Sequence, residues 1–413
     1  METLTLDVLR AAVAGDYAAI RRITKLMPAG DPKLYPPTYE GGEYATEIRK
    51  VNGKEIRTVL LDSVQSQANR MELALLRAYE GGKVRFPLVQ IDFADGESDA
   101  VVKEVGRLTA LEMPHRIMDA LLRDSEYEGV TFRRSKVGEK LDWAKASNAT
   151  PVFELCPTAL IFGFWDSTGP RGGLGAKVQR ALVSEIVGYD IEGGVRPASR
   201  IDPVVSEGVD IYSKPGGGWT ADEARATKDK DGNPVKYGKK GKASEVNLGN
   251  VTPALTHDDQ NTKKRVPNHG GVTLAYAEQT TVLSLAALRR LRFPTEGAGK
   301  ADQGAIDDAA RTVLAALGLA AICAVDLDGY DLRSRCLLDG KPGTFQFVGR
   351  GETKDFALEG GEAYELLGAA SQEAVRLGLP WPTAPITLKP SADLRLLVKK
   401  SRQKSMAAAA GEE

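Results

Sequence analysis

Residues Pro157–Tyr189, PTALIFGFWDSTGPRGGLGAKVQRALVSEIVGY, decide how the rest of this chain is read. The stretch opens on an apolar run, Ala159–Phe164, that predicts a buried strand. The run empties into Trp165-Asp166-Ser167-Thr168 and a loop with glycines at 169, 172, 173 and 175 and an arginine at 171. An amphipathic segment with Lys177, Gln179 and Arg180 follows. Glycines this dense let the backbone approach a partner closely and turn its N–H groups outward, an arrangement that receives phosphate oxygens. Arg171, Lys177 and Arg180 supply the matching charge, and Trp165 offers a stacking surface. The set suits a nucleic-acid backbone better than a small metabolite. The plain alternative is a hairpin whose glycines serve only sharp turns.

The loop carries neither common nucleotide signature. A Walker A loop needs Gly-Lys-Ser/Thr, whereas Gly175 is followed by Ala176, Lys177 and Val178; Gly173-Leu174-Gly175 lacks the third glycine of a dinucleotide fingerprint. The rest of the composition is that of a soluble globular chain: 413 residues, 42% hydrophobic and 27% charged, with a formal net charge of −1. Binding to a polyanion must therefore come from charge gathered on one face. Uninterrupted apolar runs fall short of the ~20 residues of a membrane span, and the first residues lack a basic region leading into a signal core. The expectation is a cytoplasmic protein with no membrane partner. Cys156, Cys323 and Cys336 are scattered and read as reduced, buried thiols; three histidines exclude a histidine-rich metal site.

The outward reading alternates strands and helices irregularly. It predicts a helix over 4–14, a strand at Ala18–Leu26, a strand at Ile56–Leu61 running into a helix over Ser63–Tyr79, a strand at Val84–Asp92 and a strand-to-helix unit around 106–123. Between Lys214 and about Asn268 apolar periodicity disappears and lysine, glycine and aspartate dominate, the mark of an inserted segment that is mobile alone. Order resumes with a strand at Gly271–Tyr276 and a helix at Thr281–Leu291. A helix over 303–317, strands at Ala320–Asp326 and Thr344–Val348, and a helix at Glu362–Leu377 complete the body, and a frayed tail ends the chain. This pattern favours an α+β fold of ferredoxin-like type over a doubly wound sheet.

Two further constellations matter. The helix start at 60–72, LLDSVQSQANRME, needs only Asp62 or Ser63 as a cap, which leaves Gln65, Ser66, Gln67, Asn69 and Arg70 unexplained. Short polar side chains and an arginine at a helix N-terminus make a phosphate and sugar receptor; a capped, solvated helix start is the alternative. Lys263, Lys264 and Arg265, then His269, precede a strand and place charge where the insertion re-enters the fold. For catalysis the sequence offers His115 with Asp119, a pair more often structural, and Asp62 with Asp166, which lack further carboxylates nearby for a metal. No catalytic residue, metal or cofactor is expected.

Three segments together resemble one family: LLDSVQSQANRMELAL (60–75), ALIFGFWDSTGPRGGLGAKVQRALVSEIVGYDI (159–191) and VPNHGGVTLAYAEQTTVLSLAALRRLRFP (266–294). They are similar to the backbone subunits of CRISPR surveillance complexes, specifically the RAMP-superfamily Cas seven protein of type I-G systems, formerly type I-U (the Csb-one group). The likeness covers about residues 15 to 390 and is weakest at 214–268. It implies a modified RRM-like palm with large insertions, one acting as a thumb. Residues 1–213 would then form the N-terminal part of the palm, 214–268 a basic insertion, 269–400 the C-terminal part and 401–413 a disordered tail. It also implies a non-catalytic subunit whose copies form a helical filament along a crRNA and present it to target DNA. The implied partners are a Cas five/Cas six-type RAMP subunit, a Cas eight-type large subunit and the Cas three helicase-nuclease. Within the matching motifs, Ser66, Asn69, Arg70, Trp165, Gly169, Arg171, Gly172, Gly173, Lys177, Arg180 and His269 are the expected RNA contacts, joined by Lys263, Lys264 and Arg265 just ahead of the third motif. The competing reading is a RAMP-type RNA endonuclease using His115 or His269, or Asp62 or Asp166 with a metal.

Overall fold

Thr5 caps the first helix, α1 (Leu6–Ala14), and strand β1 (Ala19–Pro28) follows. Along β1, Ile20, Arg22, Thr24 and Leu26 are buried while Arg21, Ile23, Lys25 and Met27 are more exposed, the period of a strand covered on one face. Strands β2 (Thr46–Val51) and β3 (Lys54–Asp62) form a hairpin turning at Asn52-Gly53, both with positive φ (51° and 77°), as a tight hairpin of this hand requires. Ser63 then caps α2 (Val64–Glu80), whose Ala68, Met71, Leu75 and Ala78 are buried. The computed structural model describes residues 2–96, 99–167, 176–204, 206, 208–258, 263–295 and 300–410.

Further along come α3 (Thr158–Phe162), the two-residue strands β4 (Phe164–Trp165) and β5 (Lys177–Val178), β6 (Leu182–Tyr189), β7 (Tyr276–Ser284), α4 (Lys300–Asp328), β8 (Phe345–Gly349) and α5 (Gly360–Arg376). The main sheet contains the order β8-β1-β7-β6-β3-β2, every neighbour antiparallel. Taken in chain order, β1-α2-β6-β7-α4-β8 is a β-α-β-β-α-β unit with spatial order fourth, first, third, second: the ferredoxin-like, RRM-like palm. The other elements are inserted into this unit or, like α1 and α5, flank it in sequence. The β2–β3 hairpin precedes α2, and a five-stranded sheet built largely from residues 89–131 lies between α2 and β6 in sequence. A hairpin of Tyr330–Arg333 with Cys336–Asp339 precedes β8.

Helix α4 lies against α1, α2 and α5, so residues 309–325 are buried all round. That surrounding explains a correction. The strand expected at Ala320–Asp326 is part of one helix running from Lys300 to Asp328, because a helix covered on every side shows no amphipathic period. Its apolar window is long enough to cross a membrane, and 89% of that window is buried within the protein, as in a core helix. Gly318 lets α4 close on the sheet: a Cβ there would sit 3.1 Å from a Leu283 methyl. The same cause corrects the run at Ala159–Phe164, which is the short helix α3 followed by β4; the helix expected over Thr281–Leu291 is instead the end of β7, which alternates buried and half-buried residues through Ser284, and a short helix at Leu285–Leu288. The last helix spans Ala392–Ala410, taking in residues read from the sequence as a frayed tail.

The chain divides into two compact units. The first is Met1–Thr38, Tyr44–Ile191 and Thr273–Arg395; the second is Tyr39–Glu43, Glu192–Val272 and Leu396–Glu413, so it starts ahead of the composition change at residue 214. Within the second unit the lysine-rich stretch is folded into turns and short hairpins. Ser213 and Val235, Thr227 and Ser213, and Tyr237 and Ile211 are joined by main-chain hydrogen bonds of 2.7–3.0 Å. The Asp229 carboxylate receives the amides of Asp231 and Asn233, and the Glu245 carboxylate those of Lys239, Lys240 and Lys242. Carboxylate-to-amide bonds of this kind order a segment that has almost no apolar core.

Gly163, between α3 and β4, sits at φ 82°, ψ 156°, a region that side chains all but forbid. A Cβ there would lie 2.9 Å from the Arg180 amide nitrogen. Gly163→Ala is expected to lower unfolding free energy by at least about 2 kcal/mol in urea titration. A variant within about 0.5 kcal/mol of wild type would refute the conformational argument.

Candidate nucleic-acid interface

The polar crowding at the start of α2 has a buried addressee. Asp62, 1% exposed at the end of β3, accepts from Ser66 Oγ (2.8 Å), Gln67 Nε2 (2.6 Å) and Arg70 Nε (2.9 Å). Ser63 Oγ accepts the Ser66 amide as the helix cap. The terminal nitrogens of Arg70 reach the carbonyls of Asp331 (3.3 Å) and Leu332 (2.6 Å), and Arg333 donates to the Leu61 carbonyl (2.8 Å) and stands 3.5 Å from Asp62. One carboxylate thus faces two guanidiniums, leaving a local charge of one positive. Ser66 and Arg70 are pinned by this network, though the Arg70 side chain keeps 31% of its surface exposed; Asn69 is exposed on the next turn. Arg333 was not legible as a neighbour, since nothing local links it to Asp62 across about 270 residues of sequence.

At the glycine loop, Trp165 on β4 and Lys177 on β5 are cross-strand neighbours, both exposed, with Trp165 at 53%. They form the foot of a loop whose Gly169, Arg171, Gly172 and Gly173 lie outside the described residues. Arg180 donates to the Phe162 carbonyl (3.1 Å); burial and the like charge of Arg116 hold its pKa below the usual arginine value. Beneath the foot, Arg116 makes a two-pronged ion pair with Glu72 (2.7 Å on each arm) and donates to the Gly163 carbonyl (3.2 Å). Burial pushes the Glu72 carboxyl up, to about 6, against the opposing pull of Arg116. Glu72 lies on α2, so one buried ion pair fastens the helix that carries Asn69 and Arg70 to the foot of the glycine loop.

In the second unit, Thr256–Asp258 pairs with Arg265–Pro267 and sets Asp258 opposite Arg265. Lys263, Lys264 and Arg265 are exposed at the tip of this hairpin. His269 lies beyond it, its Nε2 3.2 Å from a Glu43 carboxylate oxygen. Each unit thus carries its own group of candidate contacts.

The candidate catalytic residues have other partners. Asp119 accepts the amides of His115 (3.2 Å) and Leu121 (3.0 Å), capping the short helix 120–123, so its carboxylate binds main chain and leaves the His115 ring alone. Asp166, buried, is ion-paired with Arg133 at 2.8 Å, as Asp62 is with Arg70. Among the described residues no group of three or more His, Cys, Asp or Glu is placed to hold a metal ion. The three cysteines are buried and unpaired, and burial pushes Cys323 up to about 12, away from thiolate chemistry.

Residues 20–193 match the model of a family described as CRISPR-associated protein GSU0053. Among curated proteins, none matches the chain. Among solved structures, the crystal structure of Thermofilum pendens Csc2 aligns with 94% of this chain and 83% of its own, at 10% sequence identity and a TM-score of 0.26.

Removing a buried carboxylate that faces two arginines strands their charge. Asp62→Ala is expected to cost about 3–5 kcal/mol in chemical denaturation. A loss below about 1 kcal/mol would mean that solvent, and not Asp62, balances Arg70 and Arg333.

Proposed function

We propose that this chain is a non-catalytic guide-RNA-binding backbone subunit of a type I CRISPR surveillance complex, of the type I-G group that its motifs resemble. The observation that carries this reading is the distribution of charge on the palm and its insertion. Arg22, Arg70, Arg116 and Arg133 are tied to buried or half-buried carboxylates, whereas the exposed Lys177, beside an exposed tryptophan, and the Lys263–Arg265 hairpin tip face solvent. A near-neutral protein that gathers exposed cations on an edge and a hairpin is suited to a phosphate backbone, and Trp165 to a base face. The CRISPR-associated family matched over residues 20–193 supports the same reading.

In this reading Trp165, Lys177 and Arg180, with Gly169, Arg171, Gly172 and Gly173 of the loop, take the guide backbone. Ser66, Asn69 and Arg70 take a neighbouring phosphate or ribose. The hairpin carrying Lys263, Lys264 and Arg265, with His269 beyond it, acts as the thumb. Copies stack along the crRNA and leave its bases free to pair with target DNA, in company with a Cas five/Cas six-type subunit, a Cas eight-type large subunit and the Cas three nuclease. Contacts to phosphate and stacking surfaces serve any guide, which a subunit that meets varying spacers needs.

The test is binding to two single-stranded RNAs of unrelated sequence across a salt series. Replacing Lys263, Lys264 and Arg265 together by alanine is expected to weaken both RNAs alike and to lower the salt slope by about 2, at ~0.7 per phosphate on a single strand. Unchanged affinity and slope, or a loss confined to one sequence, sinks the assignment. RNA cleavage abolished by Asp166→Asn would replace it with the endonuclease reading.

A further inference from the structure

The end of α2 and one side of α5 border a cavity of about 700 Å³, within the first unit. It shares no lining residue with the candidate RNA contacts. Its charge is one-sided. Lys83, Arg85 and Arg376 line it, and no carboxylate does. Neither Lys83 nor Arg376 is ion-paired among the described residues. Arg85 bonds only main-chain carbonyls and lies 4.8 Å over the Tyr79 ring, so no carboxylate offsets its charge either. Of the acids on the bordering helices, Glu80 pairs with Arg107, Glu373 with Arg10 and Glu72 with Arg116, Glu362 accepts the Glu359 amide, and the exposed Glu365 does not line the cavity. Three like charges around one concavity repel one another unless an anion sits among them.

A second feature is independent of charge. Trp381 lines the same cavity and is 9% exposed; its indole N–H is buried with no acceptor, while its ring packs on Phe153 at 5.1 Å. A buried indole N–H without a partner is rare enough to need a reason. Half-buried Tyr364 adds a second aromatic to the lining. Cations and aromatics around a volume typical of small-ligand sites, with an unmet donor on one of the aromatics, describe a ligand with an anionic end and a planar end that accepts hydrogen bonds.

We infer that this cavity is a binding site for a nucleoside phosphate, distinct from the guide-RNA surface proposed above. The phosphate lies among Lys83, Arg85 and Arg376. The base lies by Tyr364 and offers the Trp381 N–H a ring nitrogen or carbonyl.

Isothermal titration of the full chain with adenosine 5′-monophosphate, cytidine 5′-monophosphate and inorganic phosphate tests this. The expected result is one-to-one binding of at least one nucleotide, tighter than phosphate alone and weakened by salt. Arg376→Gln, an exposed position, is expected to weaken it about tenfold, as loss of a charge-assisted hydrogen bond does. Trp381→Phe keeps the aromatic packing and is expected to cut nucleotide binding while leaving phosphate binding unchanged. Three outcomes overturn the proposal: no binding of either nucleotide, phosphate binding as tightly as they do, or a glutamate-rich peptide binding where they do not. RNA binding measured in parallel separates the two sites. Arg376→Gln is expected to leave RNA affinity intact, and a parallel loss would make the cavity part of the RNA path instead.

Discussion

A chain of buried polar side chains runs through the middle of the palm, and the arrangement of sheet and helices depends on it. Arg22 on β1, 1% exposed, pairs with Asp326 of α4 and reaches toward Gln279 of β7. Gln279 donates to Gln67 of α2 at 2.8 Å, Ser184 of β6 donates to the same oxygen at 3.0 Å, and Gln67 donates to Asp62 at 2.6 Å. Tyr330 closes the far end on Asp326 at 2.8 Å. Apolar groups of similar shape could fill this space at comparable stability, because burying charge costs much of what pairing returns. What apolar groups lack is direction. A slip of β1 or β7 by one residue would turn Arg22 or Gln279 onto the open face and leave its partners buried and unmet. The network thereby fixes the register of the strands that define the fold.

The same network explains why the most polar segment of the sequence is not its most available one. Ser66 and Arg70 read as ligands because their chemistry suits phosphate, but that chemistry suits a buried aspartate equally. In a chain with 55 basic and 56 acidic residues, a cation matters for a polyanion only if no carboxylate already holds it. By that criterion the weight shifts from the start of α2 to the Trp165–Lys177 edge, while the basic hairpin contributes through its exposure. Arg70 remains exposed in part, so it serves a phosphate only as the outer member of an existing ion pair.

How much was legible follows from how each element is solvated. Helix α2 and strand β1 have one wet face, so their periods of 3.6 and 2 stand out in the sequence and their bounds are read to within a few residues. Helices α3 and α4 are dry all round; their uninterrupted apolar residues carry no period, and both were misread in part as strand. Trp165 and Lys177 could be paired from the sequence because a loop joins them. Glu72 with Arg116, and Asp62 with Arg333, could not, since such pairs belong to the tertiary fold alone.

The second unit shows where local chemistry substitutes for a core. Its composition reads as a disordered linker, and few of its residues are deeply buried, among them Ile211, Thr220, Ala226 and Ala243. Asp229 and Glu245 fold it by capping turns from within, bonds that need no neighbouring layer. A segment stabilised this way can be lengthened or rebuilt without disturbing the palm, because it is inserted between β6 and β7, two strands already registered by their own ladder. The family match ends at residue 193, one residue into this unit at Glu192. The palm itself resumes at β7 and runs on through α4 and β8, tied to the matched half by the buried network, whereas the insertion answers only to its own turns and to whatever its basic hairpin meets.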